Sequence, residues 1–151
     1  MAKTLDGVLI KKPHQKDNFT TEQFTEFAKC ADPVNGIHYF MNNFFNIHHP
    51  TKGRMVYNAF EYQEKLLSTY HNYRFNINML PRQTGKSTTI IAYLLHYAIF
   101  NQNVNIAILA NKAAVARDLL GRLQLAYENL PKWLQQGVIT VSYTHLTLPT
   151  T

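Results

Sequence analysis

The most informative segment of the chain is Pro81-Arg82-Gln83-Thr84-Gly85-Lys86-Ser87-Thr88. Alternating apolar residues precede it at 74–80, and an apolar segment follows at 86–100. The alternation predicts a strand over residues 74–80, and the helical spacing of apolar residues predicts a helix over 86–100. A strand, a tight loop and a helix in this order present backbone N–H groups and the positive end of a helix dipole to an anion.

The residue types in this loop are those that bind a nucleoside triphosphate. Gly85 permits close approach of the backbone, Lys86 supplies a cation for the β- and γ-phosphates, and Ser87 supplies a hydroxyl for Mg²⁺. The sequence therefore predicts a site for ATP and Mg²⁺. Its residues in the loop are Arg82, Gln83, Thr84, Gly85, Lys86, Ser87 and Thr88. The consensus motif has an earlier glycine where this chain has Leu80, so the motif taken alone is incomplete.

Composition and charge agree with this prediction. The chain has 151 residues and a formal charge of +6, and residues 74–151 hold seven basic side chains against two acidic ones. Such a balance suits a polyphosphate or nucleic-acid partner, although a solvated basic surface explains the dispersed charges equally well. No apolar run reaches the roughly 20 residues of a membrane span, and no signal peptide is recognisable. We therefore expect an intracellular protein that does not contact a membrane.

The part of the chain before the loop is predicted to be helical. Residues 1–19 form a lysine-rich, flexible lead, and residues 20–72 form an N-terminal helical segment. Thr20 and Gln23 are a predicted capping pair for the first helix, which extends to about residue 31 and includes the single cysteine, Cys30. We expect this cysteine to pack in the helix.

Two further helices are predicted in that segment, over residues 37–45 and 57–70. His48 and His49 close the second helix and open a loop; consecutive histidines point to different sides, so surface histidines are favoured over a metal site. Gln63 lies in the third helix, upstream of the loop. Its carboxamide offers both hydrogen-bond senses that an adenine edge needs. The alternative, which is the default for an amphipathic helix, is a surface glutamine.

Strands and helices are predicted to alternate over residues 73–141. The nearly continuous apolar run 104–110 predicts a second strand, which with the preceding strand and helix makes a parallel βαβ unit. Lys112 lies at the end of this strand and is either a phosphate or DNA contact or a polar loop residue. A helix over about 113–130 and a third strand at 138–141 complete the pattern.

The chain resembles the large terminase subunit of tailed double-stranded DNA bacteriophages. The resemblance covers about residues 19–141 and rests on four segments. They are Glu61-Tyr62-Gln63, Arg82-Gln83-Thr84-Gly85-Lys86-Ser87, Ile108-Leu109-Ala110-Asn111-Lys112 and Leu130-Pro131-Lys132-Trp133-Leu134-Gln135-Gln136-Gly137. A loop without its first glycine is typical of that family. The resemblance implies an α/β fold, the P-loop NTPase fold of the ASCE or RecA-like class, with an incomplete parallel sheet after the helical segment. Residues 73–141 would then be a truncated P-loop ATPase core.

The resemblance also implies roles and partners. Gln63 would read adenine, Lys86 would hold the phosphates, Ser87 would bind magnesium, and Arg82 would be a catalytic arginine acting in cis on the γ-phosphate. Lys86 and Arg82 are thus the expected catalytic residues. The implied activity is ATP-driven packaging of double-stranded viral DNA into a procapsid in the host cytoplasm, with the portal and the small terminase subunit as partners.

Hydrolysis needs further carboxylates that the sequence does not supply. After Lys86 the only acidic side chains are Asp118 and Glu128, and both fall within a predicted helix rather than at the end of a strand. We therefore expect an N-terminal fragment of such a motor that binds ATP without hydrolysing it, and that lacks the family's nuclease domain. Residues 142–151 depart from the family's pattern and resemble translated adapter sequence, so we expect this tail to be non-native.

Two alternatives stay open. A superfamily-2-like helicase or translocase also pairs an upstream glutamine with a phosphate loop and a strand-end lysine, but usually retains the first loop glycine. A non-catalytic nucleotide-binding module would need a stable fold with only two or three strands, whose open edges are costly unless covered.

Overall fold

The computed structural model of the chain describes residues 18–49, 51, 53–135 and 138. Within them are five helices and one two-stranded sheet. In chain order these are α1 (Thr21–Cys30), α2 (Gly36–Asn43), β1 (Asn46–His49), β2 (Gly53–Val56), α3 (Glu61–Asn72), α4 (Lys86–Phe100) and α5 (Ala113–Glu128). Most of the predicted lead, all but Val138 of the third predicted strand and the tail 142–151 lie outside the described residues, as do the side chains of His48 and His49.

The first helix begins where its capping residues predict. The hydroxyl of Thr20 accepts a hydrogen bond from the Gln23 N–H at 3.3 Å, and the Gln23 Oε1 accepts one from the Thr20 N–H at 3.1 Å. This reciprocal pair satisfies two backbone donors that a helix start otherwise leaves without partners. The prediction for α1 is confirmed, and Cys30 is buried at its end, where burial raises the pKa of its thiol to about 12.

A hairpin replaces the loop predicted after the second helix. The helix ends at Asn43, and β1 then pairs with β2 in antiparallel register, with Ile47 opposite Met55. The prediction of a helix through residue 45 is wrong because Phe45 is buried by a tertiary contact, not by a helix face. Its ring meets Tyr57 edge-on at 5.7 Å, and its carbonyl accepts the Tyr57 N–H at 2.9 Å.

The core is assembled around α4, which packs against α2, α3 and α5. Ile91, Ala92 and Leu95 of this helix are almost completely buried. Each fully buried aliphatic side chain of leucine size contributes about 1.5–3 kcal/mol relative to exposure, so the burial of this face stabilises the packing of α4. The predicted bounds of α4, residues 86–100, are confirmed.

The two predicted parallel strands are not paired in this structure. Within the described residues the only sheet is the hairpin, and neither 74–80 nor 104–110 forms a strand. Phe75, Ile77 and Met79 are 83%, 97% and 94% exposed. A strand of a parallel sheet needs a hydrogen-bonded neighbour along its edge. The parallel sheet therefore stays a prediction.

None of the helices in the described ranges has the length and apolar character needed to cross a membrane.

A buried histidine of α4 forms a hydrogen bond to the end of α1. His96 contacts the rings of Phe40 and Phe100, at 5.4 and 4.6 Å, and its Nε2 is 2.8 Å from the carbonyl oxygen of Cys30. Because a carbonyl only accepts, Nε2 carries the proton and donates it. Burial lowers the pKa of His96 to about 4, from its ordinary 6.5. The folded protein therefore holds this ring neutral at neutral pH.

We predict that acid destabilises the protein through His96. The unfolded chain takes up a proton near pH 6.5 and the folded chain only near pH 4, so this contribution is present above pH 6.5 and is lost as the pH falls toward 4. The shift corresponds to about 3 kcal/mol of unfolding free energy across that window. Urea titrations at a series of pH values measure it.

The matched control for this prediction is His96→Gln, whose amide can still donate to the Cys30 carbonyl but does not titrate. Its unfolding free energy should change much less over the same pH range. Equal losses in the variant and the wild type would assign the acid sensitivity to other groups.

Candidate nucleotide-binding site

The loop before α4 is a tight turn with two residues in the left-handed region. Gln83 has φ 63°, and Gly85, the residue that caps α4, has φ 71° and ψ 13°. Only glycine adopts this conformation without steric cost. The residue at the N-cap of α4 is Gly85, which has no side chain to accept hydrogen bonds from the N–H groups of the first turn. Such a helix start favours an anion.

Lys86 extends back across the loop. Its ammonium group donates to the carbonyl oxygen of Pro81 at 3.3 Å, and the hydroxyl of Thr84 donates to the same oxygen at 3.1 Å. The turn is thereby closed from residue 81 to residue 86, with a half-buried lysine at the start of the helix. Lys86 is the residue for which the sequence predicts a contact with the phosphates.

The start of α3 lies directly against the loop. The Tyr62 hydroxyl donates to the carbonyl oxygen of Thr84 at 2.5 Å, and Gln63 Nε2 donates to the same oxygen at 3.1 Å. Gln63 is only 2% exposed, so the alternative interpretation of a surface glutamine is wrong. The structure thus brings together Gln63, Thr84, Gly85 and Lys86, four residues of the predicted site.

The remaining predicted residues surround this group at the surface. Ser87 and Thr88 are half-buried in the first turn of α4, whereas Arg82 and Gln83 are exposed on the outer side of the turn. Exposure leaves the Arg82 guanidinium accessible to a bound anion.

Three aromatic residues belong to the site although sequence reasoning gave them no role. Tyr57 is buried, and its hydroxyl is 3.2 Å from that of Thr89 in α4. Phe60 and Tyr62 stack with ring centroids 5.9 Å apart and planes 8° apart, and both are exposed. The Tyr62-Gln63 pair was visible in the sequence as a motif, but no pattern pointed to Tyr57 or to the stacked pair.

The two acidic side chains after Lys86 both form their contacts within α5. Asp118 forms an ion pair with Arg122 at 2.9 Å, and the Glu128 carboxylate accepts from Gln124 at 3.2 Å. In the described part of the chain, no three or more His, Cys, Asp or Glu residues are grouped so as to hold a metal ion. A magnesium ion here would depend on the Ser87 hydroxyl and on phosphate oxygens, which are ligands of the kind Mg²⁺ prefers.

The residues present fit a polyphosphate with magnesium. A left-handed glycine, a lysine folded over the turn and a helix start without a side-chain cap are what such a ligand requires. No known family model matches the chain.

We predict that Gly85→Ala disrupts the loop. An L-residue in the left-handed region costs about 1–2 kcal/mol, and a Cβ at this position would lie 2.7 Å from Gln63 Nε2. The variant should unfold at lower urea concentration than the wild type.

Gly121→Ala is the matched control, because a Cβ there meets nothing within 4 Å. Alanine in the interior of α5 should stabilise the chain by about 0.5–1 kcal/mol. An unchanged urea midpoint for Gly85→Ala would show that the loop is not held as described.

Proposed function

We propose that this chain binds MgATP through the loop 81–88 and the start of α4. The observation that carries the proposal is the closed turn itself, in which Gly85 is left-handed and Lys86 reaches back to Pro81. The positive helix end and the lysine together favour a polyphosphate over a singly charged anion. ATP and Mg²⁺ are the proposed cofactors.

The proposal assigns a role to each part of the site. Lys86 contacts the β- and γ-phosphates, Ser87 contributes its hydroxyl to Mg²⁺, and Arg82 lies toward the γ-phosphate. The adenine lies on the α3 side of the loop, near Gln63. The stacked rings of Phe60 and Tyr62 supply a flat apolar surface of the kind on which a base stacks.

We further propose that the chain is the nucleotide-binding part of a viral DNA-packaging ATPase of the large terminase class. The support is the sequence resemblance over residues 19–141, together with the contact between the Tyr62-Gln63 pair and the loop. Double-stranded DNA, the portal and the small terminase subunit are the partners that this class implies, and the host cytoplasm is the compartment. The excess of basic side chains after residue 73 is compatible with a DNA partner.

The first test of nucleotide binding is Lys86→Ala. Removing a charge-assisted contact to phosphate costs about 1.5–3 kcal/mol, so MgATP affinity should fall at least about tenfold. Isothermal titration calorimetry on the 151-residue chain measures the affinity, and phosphate release from the same samples measures hydrolysis, which we expect to be absent.

Lys65→Ala is the control, because Lys65 is an exposed lysine of α3 and lies outside the loop. Its affinity should equal that of the wild type. MgATP binding that survives Lys86→Ala would refute the proposed site, and steady phosphate release that Lys86→Ala abolishes would refute the expectation of binding without turnover.

A further inference from the structure

The carbonyl group of Thr84 is held by two side chains from α3. Both Tyr62 Oη and Gln63 Nε2 donate to it, at 2.5 and 3.1 Å. They belong to the first turn of the helix, whereas Thr84 lies more than twenty residues later in the phosphate-binding turn. A hydrogen bond that joins distant segments fixes their relative position, because each partner is anchored in its own element.

The amide of Gln63 has no donor left for a ligand. Its Oε1 accepts from the Phe60 N–H at 3.0 Å, and this contact fixes which end of the amide is oxygen because a backbone N–H only donates. The two N–H groups of Nε2 then go to Thr84 O and to Tyr62 Oη, the latter at 3.1 Å. A primary amide has only two N–H donors, so both are used within the protein.

The position of the Thr84 carbonyl also determines the direction of the next N–H. A trans peptide is planar, so its C=O and N–H groups point in opposite directions, and the described chain has no cis peptide bond. With Thr84 O turned toward Tyr62 and Gln63, the Gly85 N–H points away from α3. That N–H is one of the donors on which phosphate binding in such a loop depends.

The other side of Gly85 is held as well. Its carbonyl oxygen accepts the Thr89 N–H at 3.0 Å and the Thr89 hydroxyl at 3.2 Å. Because the Thr89 hydroxyl donates its proton there, Tyr57 Oη is the donor in the 3.2 Å contact between these two hydroxyls. The peptide before Gly85 is thus oriented by the side chains of Tyr62 and Gln63, and the peptide after it by the backbone N–H and the hydroxyl of Thr89.

We infer that the Tyr62 hydroxyl and the Gln63 amide are positioning groups, which set polyphosphate affinity by orienting the Thr84–Gly85 peptide rather than by bonding to the base. This inference rests on the proposed function and deepens it. Gln63 could either orient the loop or donate to the adenine. Because both N–H groups of its amide donate to Thr84 and Tyr62, the same amide cannot also donate to an adenine nitrogen. Donation from Gln63 to the base would require the Thr84 carbonyl to be released.

The test compares a ligand that has a base with one that lacks it. The affinities of MgATP and of magnesium tripolyphosphate are measured by calorimetry for the wild type, Tyr62→Phe and Gln63→Met. A positioning role predicts that each substitution weakens both ligands by the same factor, about threefold to tenfold. A loss confined to MgATP, with tripolyphosphate unchanged, would overturn the inference and assign these side chains to the base.

Tyr73→Phe is the matched control, since Tyr73 is exposed at the other end of α3. It should leave both affinities unchanged. Tyr62→Phe removes a single oxygen from a side chain that is 40% exposed, so it keeps the test decisive if Gln63→Met fails to fold.

A second measurement does not depend on ligand binding. Tyr62→Phe should shift the amide resonance of Gly85 in a ¹H–¹⁵N spectrum and leave that of Gly121 in place. If the wild type binds neither ligand, the proposed function fails, and a shifted Gly85 resonance still supports the orienting contact. An unmoved Gly85 resonance overturns the inference in either case.

Discussion

The left-handed conformation of Gly85 is the constraint on which the arrangement of the site depends. At φ 71° the chain turns sharply enough for α4 to begin at the next residue, and the peptides on both sides of the glycine point into the protein. Thr84 O meets Tyr62 and Gln63, and Gly85 O meets Thr89. A residue with a side chain at this position would strain the backbone and meet the Gln63 amide.

The helix that follows this turn packs into the core. α4 packs against α2, α3 and α5, and its Ile91, Ala92 and Leu95 are buried there. His96 adds a directional contact, a hydrogen bond from a neutral imidazole to the end of α1. Hydrophobic packing places the helix, and the buried polar contacts fix its rotation and its relation to the neighbouring elements.

The chemistry of the site follows from this combination. In the turn before α4 the carbonyls of Pro81, Thr84 and Gly85 are already bonded. The charge of Lys86 and the N–H groups at the helix start therefore favour an anion. The first turn of α3 supplies both the stacked aromatic pair and the contacts to Thr84. Recognition of a nucleotide as MgATP, by the proposal made above, would thus draw on two helices that are distant in sequence.

The sequence by itself determined the local features whose causes are local. Apolar periodicity and capping residues located α1 and α4, and the order of glycine, lysine and serine located the loop, because these patterns act within one or two turns of the chain. Periodicity did not predict the hairpin at residues 46–56, since Phe45 is buried by a contact with Tyr57 rather than by a helix face. It also could not show that Gln63 is buried with its amide committed to the loop, because both partners of that contact lie in separate elements. Only the tertiary structure decides such pairings, as it alone determines which distant groups satisfy each buried donor and acceptor.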